Sequence, residues 1–143
     1  MKKLFATLLT AGFVACMSSC GTSKKAEASD QGISGKWTIS AVEGYTINKA
    51  EIENEAFMNF NTNENKVNGC AGCNTFFGEL KVNAKKHTIE FGHAGSTRML
   101  CANMKVEDKV MKALNKVAKY ELKKDGSLVL KSADGNDVIT LVK

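Results

Sequence analysis

At 143 residues, with 43% apolar and 24% charged side chains, the chain has the make-up of one globular domain with a real core and is too short for two comfortable ones. Of the net charge of +5, Lys2 and Lys3 at the N-terminus contribute two; the remaining +3 is spread thinly, with no basic stripe and interleaved aromatics to suggest nucleic-acid binding. Proline is absent, so Gly, Asn, Asp and Ser must make every turn.

Residues 1–19 read as a signal peptide. Lys2 and Lys3 form a positive n-region, and residues 4–15 are an apolar core too short to span a bilayer as a helix. The small residues that follow resemble a bacterial lipobox, in which a cysteine receives a diacylglyceryl group before cleavage ahead of it. Cys20, after Met17-Ser18-Ser19, is the favoured attachment site; Cys16, after Phe13-Val14-Ala15, is the alternative. Acyl chains anchor by burying methylenes at about 0.8 kcal/mol each. The expected location is therefore the bacterial cell envelope, the domain lipid-anchored outside the cytoplasm, with the outer membrane favoured over the inner. Residues 20–32 hold no apolar side chain larger than alanine after the cysteine and suit a flexible tether. The folded domain is expected over residues 33–143.

Trp37, Ile39 and Ala41 alternate with Thr38 and Ser40, which predicts a half-buried first strand ending at a Gly44 turn. Residues 50–55 are ambiguous between loop and short helical turn. Met58 and Phe60 share one face of a second strand, and residues 62–66 make a hairpin connection. Residues 67–78 (VNGCAGCNTFFG) form a glycine corner that leads into a strand with Phe76, Gly78, Leu80 and Val82 on one face. Ile89 and Phe91 mark the next strand, which the spacing ends before a glycine loop at residues 92–95.

The period then changes. Val106, Val110, Ala113, Leu114 and Val117 form the stripe of an amphipathic helix, with Asn103 as its N-cap and Glu107 and Asp108 suited to its positive end. Tyr120 and Leu122, Leu128 and Leu130, and Ile139 and Leu141 mark three further strands, joined at Asp125-Gly126 and Asp134-Gly135. The pattern predicts an α+β domain: a small, strongly curved antiparallel sheet or barrel with one amphipathic helix packed on it.

Asn68, Gly69, Gly72, Cys73, Asn74 and Gly78, then Thr97, Met99 and Cys101, then the helix with Glu107 and Leu114, resemble the META domain, the family of the heat-shock lipoprotein HslJ. The resemblance runs over residues 34–143. It implies a barrel-like α+β fold, an envelope location, links to stress or drug tolerance, secretion and virulence, and no established catalytic activity. It also makes Cys73 and Cys101 the natural disulfide pair in an oxidising compartment, with Cys70–Cys101 next. Cys70 is not part of the family motif.

Two sharper readings compete at this corner. Cys70-Ala71-Gly72-Cys73 is a C-x-x-C, but a strand follows it rather than the helix whose dipole would lower a thiol pKa. A zinc site would need Cys70, Cys73, Cys101 and either His87 or His93, without a second C-x-x-C. Both histidines are expected at the surface. Asn68 and Asn74 are expected to hold turn backbone, and Gly69, Gly72 and Gly78 to permit unusual backbone shapes or close strand approach. Arg98, the sole arginine, is expected in a structural ion pair, and Met99, Met104 and Met111 in the core.

The reading is thus of a monomeric, non-enzymatic domain with no catalytic residue, metal or cofactor. Its expected partners are the membrane, reached through the N-terminal lipid, and an unknown protein or small apolar molecule; nucleic acid is not among them. A thiol–disulfide protein or sensor using Cys70 and Cys73 is the alternative.

Overall fold

Alternating side chains dictate most of the architecture. In the computed structural model, which describes residues 32–143, nine strands and one α-helix follow in the order β1 (Gly35–Val42), β2 (Tyr45–Thr46), β3 (Phe57–Asn61), β4 (Lys66–Cys70), β5 (Thr75–Asn83), β6 (Thr88–Ser96), α1 (Lys105–Leu114), β7 (Val117–Leu122), β8 (Leu128–Ser132) and β9 (Asp137–Val142). The expected signal peptide, Cys16, Cys20 and the expected tether up to residue 31 lie outside the described residues.

Each strand pairs antiparallel with its neighbours, and β1 pairs with both β3 and β9, which closes the sheet into an eight-strand barrel. The two-residue β2 is an appendage paired only with β1. Closure leaves most strands no free edge and turns one face of each inward. Trp37, Met58, Phe60, Leu80, Leu130 and Ile139 are among the large side chains buried there. The Trp37 indole N–H donates to the Ile33 carbonyl at 2.7 Å, so the chain is anchored before β1 begins.

Three local features depart from the sequence reading, and one that it left open takes a definite form. Along β1, a register shift between Ile39 and Ala41 turns the inward face from Ile39 to Val42, leaving Ala41 half-buried. Residues 50–55 are partly a 3₁₀ turn, Lys49–Glu51, capped by the Asn48 side chain.

The second departure is in β6, which does not stop at Phe91 but runs through the glycines to Ser96. Gly95 lies under the Phe77 ring, where a Cβ would come within 2.7 Å of Cζ, so the glycine makes room for the strand pairing rather than a loop. Finally, the helix ends at Leu114, and Val117 belongs to β7. Its N-cap is Met104, while the Asn103 side chain accepts from the N–H two residues on, that of Lys105. Val106, Val110, Ala113 and Leu114 bury its stripe, and α1 packs against β9 and β1.

One seam is weak. Strands β5 and β6 pair from Phe76 and Ser96 to Asn83 and Thr88 with one irregularity between Gly78 and Leu80, whereas β6 and β7 share a single registered pair, Thr88 with Lys119.

Gly69 has no room for a side chain between its neighbours: a Cβ would strike the Phe57 carbonyl oxygen and come within 2.6 Å of the Phe76 ring. Backbone cannot yield there, so Gly69→Ala should cost about 2–3 kcal/mol through overpacking. Gly126→Ala, at φ 84° with open space around it, should cost about 1 kcal/mol. Urea unfolding followed by Trp37 fluorescence measures both; equal losses would contradict the close approach.

Surface charges set the pH response. Hydrogen bonds from Lys36 and Thr38 hold the Glu55 carboxyl below its ordinary value, as Ser127 does for Asp125 and Lys131 for Asp137. Lys131 is raised by Asp137 and Glu121. Carboxylates lowered by folding stabilise above their unfolded pKa and lose that contribution as pH falls through the folded value. Lys131 stabilises below its unfolded pKa and loses its contribution as pH rises through the raised folded value. A melting temperature flat across neutral pH, with a shallow fall beginning below about pH 4, is expected for such exposed groups. A fall beginning near pH 6 would be contrary to this assignment.

Candidate functional site

The glycine corner is a four-residue hairpin between β4 and β5. Cys70 pairs with Thr75, and the Ala71 N–H donates to the Asn74 carbonyl at 2.9 Å. Gly72 takes φ 103°, which favours glycine, and an added Cβ would come within 2.8 Å of the Ile52 side chain. The corner thereby presents Cys73 and Asn74 to the loop of residues 97–104, which carries the chain from β6 to α1.

Two fasteners hold that loop. Cys73 and Cys101 form a disulfide, with Cα atoms 6.1 Å apart. Asn74, the buried polar side chain of the core at 3% exposure, makes the second. Its Oδ1 accepts from the Thr97 hydroxyl and the Met99 N–H, both at 2.7 Å, and its Nδ2 donates to the Met99 carbonyl at 3.1 Å. Nδ2 also donates to Glu107 Oε1 at 2.9 Å, while the Asn74 backbone N–H donates to Glu107 Oε2 at 2.7 Å. Thr97 Oγ1 accepts in turn from the Thr75 N–H. Every polar atom of Asn74 is thus satisfied, as burial demands. Glu107 lies in the first turn of α1, so the same carboxylate that suits the helix N-terminus ties the helix to the corner.

The other candidate residues fall out differently. Asn74 holds a distant loop as well as its own turn; Asn68 is exposed and accepts across the strands from the Asn59 amide at 3.1 Å. Gly78 faces Ala94 closely, with a Cβ position 3.2 Å from its Cα. Met99 is not core: it is 54% exposed and its neighbour Leu100 is 98% exposed, because the loop is held by its backbone and turns its side chains outward. Met104 and Met111 are half-buried. Arg98 is exposed and makes no ion pair among the described residues, so the expected structural pair does not form.

Cys70 is a buried free thiol at 4% exposure, its sulfur 3.9 Å from the Cys73 carbonyl. With Cys73 committed to Cys101, the C-x-x-C is not a dithiol. His87 is exposed in the turn before β6, at φ 53° with its ring beside Tyr120, and His93 is exposed on β6. No group of three or more His, Cys, Asp or Glu side chains among the described residues is placed to hold a metal ion.

Where β6 and β7 part, a cleft of about 710 Å³ opens between β6 and α1. Phe91, Met111, Leu114 and Val117 supply apolar walls, and Glu90, Asp108 and Lys112 stand around it. Its walls come from elements that the sequence predicts separately. Their meeting carries no local signal, since it depends on where the clasped loop sets the helix down.

A closed eight-strand barrel whose one helix is moored to a hairpin corner by a disulfide and a buried asparagine defines a small α+β barrel domain. The chain belongs to the META domain family, whose profile matches residues 31–143. Solved structures with the same fold include an NMR structure of a protein from Burkholderia xenovorans, 21% identical, covering 76% of this chain and 80% of that one with a TM-score of 0.58. A second NMR structure is 22% identical, covers 76% of this chain and 87% of its own, and has a TM-score of 0.57. A crystal structure of a DUF4847 family protein from Bacteroides vulgatus is 16% identical, covering 78% and 94%, with a TM-score of 0.52. At these identities the likeness is one of fold. Comparison with curated proteins finds no match.

Truncating Asn74 strands the Met99 and Thr97 donors and leaves the Glu107 carboxylate only the backbone N–H of residue 74. Asn74→Ala should therefore cost about 3 kcal/mol, the upper range for one lost buried partner. Replacing both Cys73 and Cys101 by serine opens a loop of sequence separation 28 and should cost about 3–4 kcal/mol in the chain-entropy account. Denaturant midpoints check both, and losses below about 1 kcal/mol would show that the loop is held elsewhere.

Proposed function

We propose that this META domain protein is a non-enzymatic lipoprotein of the bacterial cell envelope. In this reading it is tethered through Cys20 as a monomer and acts by binding a protein or small apolar partner in the cleft between β6 and α1. The cleft carries the reading. It joins an apolar wall from a helix to one from a strand, has a charged rim, and is of a size that takes a small ligand or a few side chains of a partner.

Binding rather than catalysis is supported by how the polar groups of the corner are used. Asn74 and Glu107 are spent on each other and on the loop, and Cys73 is bonded to Cys101. The stress-related role and the envelope address rest on the resemblance to the heat-shock lipoprotein family and on the N-terminal pattern.

Two measurements test the two halves. Labelled palmitate should enter the wild-type chain and the Cys16→Ala variant, and fail to enter Cys20→Ala; labelling of Cys20→Ala would move the anchor. The apolar dye anilinonaphthalene sulfonate should brighten on binding the chain. Met111→Lys, at a half-buried wall position, should weaken that binding about tenfold, while Leu100→Ser should leave it unchanged. Dye binding indifferent to Met111→Lys would remove the cleft from the proposal.

A further inference from the structure

The wall of the cleft formed by β6 is also an open strand edge. Tyr120 donates its N–H to the His87 carbonyl at 3.0 Å, so the backbone groups of residue 87, and by two-residue parity those of 89 and 91, point toward β7. After the Thr88–Lys119 pair β7 gives out: the chain before it closes the end of α1, with the Lys116 N–H donating to Ala113. Beyond the irregularity opposite Glu79 the parity changes. The Thr97 N–H donates to the Thr75 carbonyl, so residues 97 and 95 face β5, and Ala94 and Ser96 face outward. The outward N–H and C=O groups of Phe91, Ala94 and Ser96 find no partner among the described residues.

Proteins usually spoil such an edge with lysine, proline or a bulge. Residues 90–96 contain neither lysine nor proline, and the one irregularity, at residues 92–93, leaves Phe91 on one side of it and Ala94 and Ser96 on the other. Gly92, Ala94, Gly95 and Ser96 are small enough to let another backbone approach.

We propose that the outer edge of β6 from residue 91 to 96 accepts an added strand. The occupant is an extended segment of a partner protein with alternating apolar side chains and a basic flank. It pairs through its main chain with Phe91, Ala94 and Ser96 and lays its apolar face on Met111, Leu114 and Val117. This names the partner class for the cleft and rests on the reading of that cleft as a binding site. Charge selects the flank: Glu90 and Asp108 stand at the rim with no ion pair among the described residues, against the single Lys112. The chain's own residues 21–32 are a poor occupant, since none is apolar and larger than alanine. At about 3.4 Å per residue, the open stretch matches a strand of about six residues.

The test uses the full chain, isotope-labelled in detergent micelles, and an eight-residue peptide of alternating valine and threonine with two lysines at one end. Main-chain pairing tolerates side-chain changes, so a generic strand suffices. The amides of Phe91, Ala94 and Ser96 should shift and gain at least about tenfold protection from hydrogen exchange, while that of Gly95 is already protected in the free chain. N-methylation of alternate peptide amides along one edge, in each of the two phases, should identify one edge whose blocking weakens binding about tenfold or more. Ala94→Pro removes an outward N–H at a position where an edge strand tolerates proline, and should weaken binding similarly. Trp37 fluorescence reports whether that variant is folded, and the methylated peptides decide the matter if it is not.

Binding of both methylated peptides as tight as that of the parent would overturn strand addition and leave an apolar cleft. Silence of the three amides at about 1 mM peptide, with the dye still bound, would overturn it and spare the cleft, whereas loss of both would sink the two together. Protection of the same amides that rises with protein concentration alone would assign the edge to a second copy and overturn the peptide proposal.

Discussion

The hydrogen bonds of one buried amide, that of Asn74, fix where the helix starts. The loop of residues 97–104 contributes little apolar burial of its own, since Met99 and Leu100 face solvent. Hydrophobic collapse therefore gives this loop no preferred path. What directs it is polar and covalent: Asn74 gripping both backbone groups of Met99, Thr97 bridging Asn74 and Thr75, and Cys73 bonded to Cys101. Glu107 adds the helix to the same network, so the corner of one hairpin sets the start of α1.

That arrangement explains the weak seam. From β3 onward every link between neighbouring strands is a short hairpin except the one from β6 to β7, which must pass through the clasped loop and the helix. The chain returns to the barrel only at Val117, too late for β7 to continue alongside the second half of β6. The ladder stops after Thr88 and Lys119, and the outer edge of β6 is left beside the cleft. Open edge and cleft are thus two consequences of one topological detour rather than separate features.

Much of this was legible in the chain. Alternation located the strands around Trp37, Met58, Phe76, Leu80 and Ile139, and the two Asp-Gly pairs located hairpins, because both signals are local and each side chain meets the environment its neighbours imply. The errors share a cause. Gly92 and Gly95 look like loop residues until the Phe77 ring lies over Gly95, which makes a missing side chain a packing requirement in a strand. Val117 fits the helical period, yet Lys116 has already closed the helix end, and a stripe cannot reveal where a helix stops. Met99 looks like core filler because its hydrophobicity is visible and the backbone grip of Asn74 is not. The pairing of Asn74 with Glu107, 33 residues apart, had no periodic trace at all; an acidic residue in a first helical turn was the single hint.

The two fasteners are not duplicates. A disulfide acts chiefly on the unfolded chain, removing conformations that separate Cys73 from Cys101, and in that account it says little about how the loop lies once folded. The Asn74 network acts on the native state: it satisfies groups whose burial would otherwise be costly and fixes the direction of the backbone at Met99. Because Asn74 follows Cys73 directly, the bond also lowers the ordering cost of those hydrogen bonds, so the two contributions are coupled rather than additive. An orientation supplied by the amide and a proximity supplied by the sulfurs together fix the start of a helix whose apolar stripe packs on the barrel, and the wall of the cleft moves with that helix.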